Sequence, residues 1–118
     1  MQVGYFTVSG KDCFVNIRKF LAEEFNKGYS VDIPEGFLIF NENYSIMTRS
    51  DLMVAIRLQQ VQHSNDACEI EIVAGGGGTG LLSIRFGNEG RRLDKVADRI
   101  AKFCRSENYD VSKFAGTR

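Results

Sequence analysis

The chain has 118 residues, and its 15 lysines and arginines balance its 15 aspartates and glutamates. This length suits one domain with an ordinary core, and zero net charge removes the long-range field that draws nucleic acid or anionic membranes to a basic protein. No apolar run approaches the roughly 20 residues of a membrane helix. The first four residues lack the basic and apolar regions of a signal peptide. We therefore expect a cytoplasmic, bacterial type of protein that binds neither nucleic acid nor membrane.

The first third of the chain is predicted to form a strand, a helix and a second strand. Alternation over 2–8 predicts the first strand, and Ser9 and Asp12 have the spacing of a capping box that starts a helix. Gly28 is the predicted C-cap of that helix. Four apolar residues at helical spacing predict its buried stripe: Phe14, Ile17, Leu21 and Phe25.

Several short strands follow, separated by turn signals. Pro34-Glu35-Gly36 predicts a turn, and Asn41-Glu42-Asn43 is either a bend between two strands or a bulge within one long strand, which we favour. Alternation or extended character predicts strands at 29–33, 37–48, 52–59, 68–73 and 81–86.

The second helix is predicted near the end of the chain. Its apolar stripe comprises Leu93, Val96, Ala97, Ile100 and Cys104. Residues 108–118 show no pattern and are predicted to be a flexible tail, which leaves 1–107 as a single domain.

The predicted order is β-α-β-β-β-β-β-α with short connections, which favour antiparallel pairing. We therefore expect an α+β two-layer sandwich in which two helices cover one face of a five- or six-stranded antiparallel sheet. The order also resembles, at the level of the fold, the helix-grip and TATA-binding-protein-like architectures. The other face should present polar side chains and cross-strand charge pairs from Arg57, Gln59, Glu69, Glu71, Ser83 and Arg85.

Five of the six residues from Gly75 to Gly80 are glycine, and the run matches G-x-G-x-x-G. A dinucleotide-binding loop requires a helix directly after the glycines, but the sequence predicts a strand there. A Walker A loop requires a lysine, and none lies between Lys27 and Lys95. A kinase glycine flap does join two antiparallel strands, but the chain is too short for a kinase and has no catalytic loop.

Two interpretations of the glycine run remain. The first is a sharp hairpin or a close approach to another group. The second is an anion or nucleotide site, favoured by the surplus of glycines, in which backbone N–H groups, one hydroxyl and two nearby arginines bind the ligand. Its candidate residues are Gly76, Gly77, Gly78, Thr79, Gly80, Arg91 and Arg92.

The remaining reactive residue types do not form a recognisable catalytic pattern. Cys13, Cys68 and Cys104 are far apart in apolar segments and are predicted to be reduced core residues. His63 is the only histidine and lies in a polar stretch, where we expect it to be exposed. Tyrosines and phenylalanines are expected mostly in the core. We expect no catalytic residues, no metal site and no cofactor.

Two segments resemble a family of small, uncharacterised bacterial proteins. They are Phe40 to Ile56, and Val73 to Gly80 followed by an apolar strand and Phe86-Gly87-Asn88-Glu89. In that family a glycine-rich turn precedes an aromatic strand and the last helix. Phe86 stands where the family tends to have tryptophan. The family has no known function, so the resemblance implies a coherent domain and transfers no activity.

A complete domain without a catalytic pattern predicts a non-enzymatic binding or protein-interaction module. We expect its partner to be a second copy of the chain or another protein. The alternative is a protein or enzyme that binds a small anionic ligand at the glycine-rich hairpin 75–80.

Overall fold

In the described part of the chain, six antiparallel strands form one open sheet, and two helices pack on one of its faces. The computed structural model describes residues 2–45, 50–76 and 88–115. The strands are β1 (Gln2–Ser9), β2 (Tyr29–Ile33), β3 (Gly36–Ser45), β4 (Ser50–Val61), β5 (Ser64–Gly76) and β6 (Asp110–Ala115), and the helices are α1 (Cys13–Glu24) and α2 (Asn88–Ser106). The strand order is β2-β3-β4-β5-β1-β6. The predicted α+β two-layer sandwich is confirmed.

The core lies between the sheet and the two helices. Alternate residues of the central strands are fully buried there: Phe6 and Val8 from β1, Ile39 from β3, Val54, Ile56 and Leu58 from β4, and Cys68, Ile70 and Ile72 from β5. Period-two burial is what a sheet with one covered face produces. Both predicted helical stripes are buried against this surface.

The helices also contact each other and the sheet edge through polar and aromatic groups. Phe20 of α1 stacks on Phe103 of α2 with 4.3 Å between ring centroids, and Arg99 donates a hydrogen bond to Glu24. Arg18 binds Asp32 of β2 at 2.8 Å. These contacts hold both helices over the same face, so the other face of the sheet has no covering layer from the described part of the chain.

The C-terminal segment differs from the sequence expectation. Residues 108–118 were expected to be a tail, but Asp110–Ala115 forms β6, which pairs with β1 in the register Val8 with Val111. The sixth strand of the sheet therefore comes from this segment. The predicted strand 81–86 lies outside the described residues.

The ends of α1 also differ from the prediction. The proposed capping box is wrong, because Asp12 makes no side-chain cap and has a left-handed backbone with φ 57°. The backbone N–H of Asp12 instead donates to Asp66 Oδ1 at 2.8 Å. The helix ends at Glu24, so Gly28 is not its C-cap. A Cβ on Gly28 would lie 2.0 Å from the carbonyl oxygen of Phe40, so glycine is required there by close approach of two backbones.

Strand β3 settles the two alternatives for the middle of the chain. It runs unbroken through Asn41, and its register with β4 continues from Gly36 opposite Gln59 to Ser45 opposite Ser50 without a shift. One long strand is therefore correct, and the bulge is not present in it. The register shift lies instead at Gln60 and Val61, where β4 meets β5.

Candidate functional site

We call the face of the sheet opposite α1 and α2 the helix-free face, because no helix of the described residues lies on it. This face carries a row of apolar residues that crosses five strands. In order across the sheet the row consists of Tyr29, Phe40, Ala55, Val73 and Val3, each the Cα partner of the next. Paired residues in antiparallel strands point to the same side. Tyr29 is 64% exposed and Phe40 is 37% exposed. We call these five residues the apolar row.

The two aromatic residues of the apolar row contact each other at its outer end. The ring centroids of Tyr29 and Phe40 are 6.3 Å apart with an interplanar angle of 32°, within the range of favourable aromatic pairs. The apolar row therefore ends, at its β2 side, in two aromatic rings that contact each other. The expectation that the tyrosines and phenylalanines mostly supply core is therefore wrong for these two.

A second row, one pleat further along the strands, contains a pair of opposite charges. Arg57 and Glu71 are Cα partners on β4 and β5, and Arg57 Nε lies 3.5 Å from Glu71 Oε1. Tyr5 and Leu38 continue the row on either side. The predicted cross-strand charge pair is confirmed, and it lies beside the apolar row near the middle of the sheet.

Met53 and Gly75 form the next pair on the other side of the apolar row. They are Cα partners on β4 and β5, and Met53 is 40% exposed. Because Gly75 has no side chain, the face has a large flexible group on β4 beside a position without a side chain on β5. The first residue of the glycine run is therefore part of the helix-free face.

The structure reaches only the start of the predicted anion site. Gly76 ends β5 opposite Leu52, and Arg91 and Arg92 lie in the first turns of α2. The other candidate residues, Gly77, Gly78, Thr79 and Gly80, lie outside the described residues. Binding of an anion at the glycine run stays a prediction.

A shallow concavity of about 410 Å³ lies at the opposite end of the helix-free face, across β1, β5 and β6. Its polar lining includes Thr7, Ser9, Glu69, Asp110 and Ser112. No lysine, arginine or histidine of the described chain lines it, so its described wall lacks the cationic groups that recognise phosphate or carboxylate ligands. This concavity does not fit the anionic ligand of the alternative hypothesis.

The three cysteines come together in the core although they are distant in sequence. Cys13 Sγ lies 3.7 Å from Cys68 Sγ, and all three thiols are buried and free. Burial is the largest cause that raises the pKa of each of them, and it raises the pKa of Cys104 from 9.0 to about 12. A raised pKa keeps the thiol protonated and weakly nucleophilic. The predicted role of these cysteines as core residues is confirmed.

The buried thiols make the fold sensitive to alkaline pH. Above pH 9.0 an unfolded chain loses thiol protons that the folded chain keeps, so stability falls as pH rises toward about 12. The slope should approach about 1.4 kcal/mol per pH unit for each thiol. Urea unfolding between pH 8 and pH 11 in a reducing buffer measures it. Cys104→Ala should flatten the slope, and an unchanged slope would contradict this explanation.

His63 lies at the turn between β4 and β5, as expected for an exposed residue. Its Nδ1 contacts Glu35 Oε1 in the turn between β2 and β3. Gln62 and His63 both have positive φ, 52° and 60°, as the two-residue hairpin between Val61 and Ser64 requires. The contact joins two turns at the end of the sheet.

Within the described ranges, no group of three histidine, cysteine, aspartate or glutamate side chains could hold a metal ion. Neither α1 nor α2 is long and apolar enough to cross a membrane. The fold defines a class: an α+β domain whose open antiparallel sheet carries an apolar row on the face opposite α1 and α2. Neither a protein-family model nor a curated protein matches the chain.

The apolar row was missed by sequence reasoning, although part of its signal was visible. The polar sides of the alternating strands β4 and β5 contain Ala55 and Val73, which break the expected pattern of exposed polar residues. Their alignment with Tyr29 and Phe40 depends on the strand register, and short turns can set several registers from the same alternation.

Proposed function

We propose that the chain is a non-enzymatic protein-interaction module whose binding surface is the helix-free face of the sheet. The observation that carries this proposal is the continuous apolar row across five strands, in which Tyr29 and Phe40 are exposed and the other three residues are half-buried. Exposed large apolar residues that stand singly need no explanation, whereas contiguous ones mark interaction sites.

The composition of this face supports a protein partner. Tyrosine, phenylalanine, methionine and arginine are enriched where proteins bind one another, and the face presents Tyr29, Phe40, Met53 and Arg57 together. Polar groups flank the apolar row on one side, as at the rim of an interface. Balanced charges favour a protein over a polyanion as partner.

The chemistry of the described residues supports a binding role over an enzymatic one. The thiols are buried with raised pKa values, and the imidazole of His63 stands at an exposed turn beside Glu35. Nucleophilic catalysis requires a nucleophile within hydrogen-bond reach of its base, whereas the thiol of Cys13 contacts Cys68 and the Val8 carbonyl, and His63 contacts Glu35.

Site-specific photo-crosslinking tests the proposed function. A benzoylphenylalanine in place of Phe40 keeps an aromatic ring in the apolar row and should give discrete protein adducts after illumination in the cells that make the protein. Val15 is the matched control, because it is an apolar residue with 50% exposure on α1, in the layer that covers the other face. Absence of an adduct at position 40 beyond that at position 15 would overturn the proposal.

A further inference from the structure

We propose that the partner on the helix-free face is a second copy of this chain, related by a two-fold axis that runs parallel to the strands between β4 and β5. This inference rests on the proposed function and names the partner of the same face. The strand order and register then determine which residues of the two copies face each other on β4 and β5.

The strand order places this axis at the centre of the sheet. Three strands lie on each side of the line between β4 and β5. Rotation by 180° about it sets β4 over β5 of the second copy, β3 over β1, and β2 over β6. A two-fold interface uses the same patch twice, so a central axis brings the largest part of the face into contact.

The charges of the face distinguish this axis from one that crosses the strands. With the axis between β4 and β5, Arg57 of each copy lies over Glu71 of the other, so two opposite-charge contacts form between the copies. With an axis that runs across the strands through these residues, Arg57 lies over Arg57 and Glu71 over Glu71. Like charges that face each other across an interface weaken binding, so the pair favours the axis parallel to the strands over a crossing axis through Arg57 and Glu71.

Side-chain sizes fit the same axis. Met53 of one copy lies over Gly75 of the other, where there is no side chain to displace. In the apolar row, Phe40 of one copy lies over Val3 of the other, and Ala55 of one copy lies over Val73 of the other. Large groups therefore meet smaller ones along the apolar row and at the Met53 and Gly75 positions, which allows two sheets to interdigitate there at the roughly 10 Å spacing of packed sheets.

The area of the face is sufficient for a stable dimer. Six strands at about 4.8 Å spacing and four rows of outward residues at about 6.7 Å give a surface on the order of 700 Å². Specific interfaces bury about 800 Å² per partner, with a lower limit near 600 Å². A second copy therefore covers the face without contributions from the helices.

Sedimentation velocity of paired charge-reversal variants tests the inference. The molar mass obtained from sedimentation of the natural chain should be twice the 13.2 kDa of one chain. Arg57→Glu alone and Glu71→Arg alone each place like charges across the axis twice, so the dimer dissociation constant should rise about tenfold or more in each. A mixture of the two variants should dimerise again, because each reversed charge then faces an opposite charge on the other variant.

The mixing step separates contacts between copies from contacts within one copy. Each variant keeps like charges within its own chain in the mixture, so only contacts between copies can restore association. Arg99→Glu is the matched control, since Arg99 is an ion-paired arginine on α2, and it should leave the dimer mass unchanged. Circular dichroism checks that every variant is folded.

Three results would overturn the dimer: a natural chain that stays monomeric up to millimolar concentration, single variants that dimerise as well as the natural chain, or a mixture that stays monomeric. The outcome at Phe40 separates the two proposals. An adduct with a different protein together with a monomeric natural chain sustains the proposed function and refutes the second copy. No adduct and no dimer refute both.

Discussion

Replacement of Gly28 by alanine should lower the free energy of unfolding by about 3 kcal/mol, among the largest effects expected of a single methyl group in this fold. The added Cβ would lie 2.0 Å from the carbonyl oxygen of Phe40 and 2.9 Å from Asn41 Cα. Both obstacles are backbone atoms of β3, which is held on both sides by β2 and β4. Relief therefore requires the backbone to move, because no side chain can rotate away.

Urea unfolding at neutral pH measures this effect, and Gly4→Ala is its control. A Cβ on Gly4 would lie 3.5 Å from Leu93 Cδ1, an ordinary contact with the end of a flexible side chain. Gly4→Ala should therefore change the free energy of unfolding by less than about 1 kcal/mol. Equal effects of the two substitutions would show that the close approach of Gly28 to β3 is not what limits this position.

Truncation of Ile72 to alanine should cost about 3 to 4 kcal/mol of stability, because it leaves a cavity in the core. Ile72 is fully buried on the helix side of β5, between Gly4 of β1 and Ile56 of β4. Neither neighbouring strand can close the gap without loss of ladder hydrogen bonds. Thermal or urea unfolding of the variant at low protein concentration gives the value.

Val73 provides the matched comparison one residue further along the same strand. It belongs to the apolar row, so Val73→Ala should cost about 1 kcal/mol or less in the isolated chain, while it weakens self-association. Comparison of the Ile72→Ala and Val73→Ala variants therefore measures how much each face of β5 contributes to stability. If Val73→Ala destabilised the monomer as much as Ile72→Ala, the face that carries the apolar row would be a second core.

Local patterns in the sequence were enough to predict the layers of this fold. Ile17, Leu21 and Ile100 repeat at helical spacing and are buried where that spacing places them. Arg57 and Glu71 alternate with buried neighbours and pair across two strands as expected. These predictions depend only on residues close in sequence or on adjacent hairpin strands, for which periodicity is a direct physical signal.

Features that depend on distant segments could not be predicted in the same way. The strand β6 has no clear alternation of its own and is extended because its backbone pairs with β1. Asp12 receives its backbone partner from Asp66, 54 residues away. The requirement for glycine at position 28 comes from β3. In each case the deciding group belongs to another part of the chain, and single-sequence patterns carry no information on such approaches.

The position of β1 has a consequence for the time course of folding. β1 is made early, yet both of its neighbours in the sheet, β5 and β6, follow much later in the chain. At roughly 5 to 20 residues per second of synthesis, β1 waits several seconds or more for its second neighbour. Such long-range pairing also slows refolding, because loop closure precedes any gain from contact. We therefore expect ribosome-bound chains that stop before β6 to bind chaperones through the exposed edge of β1.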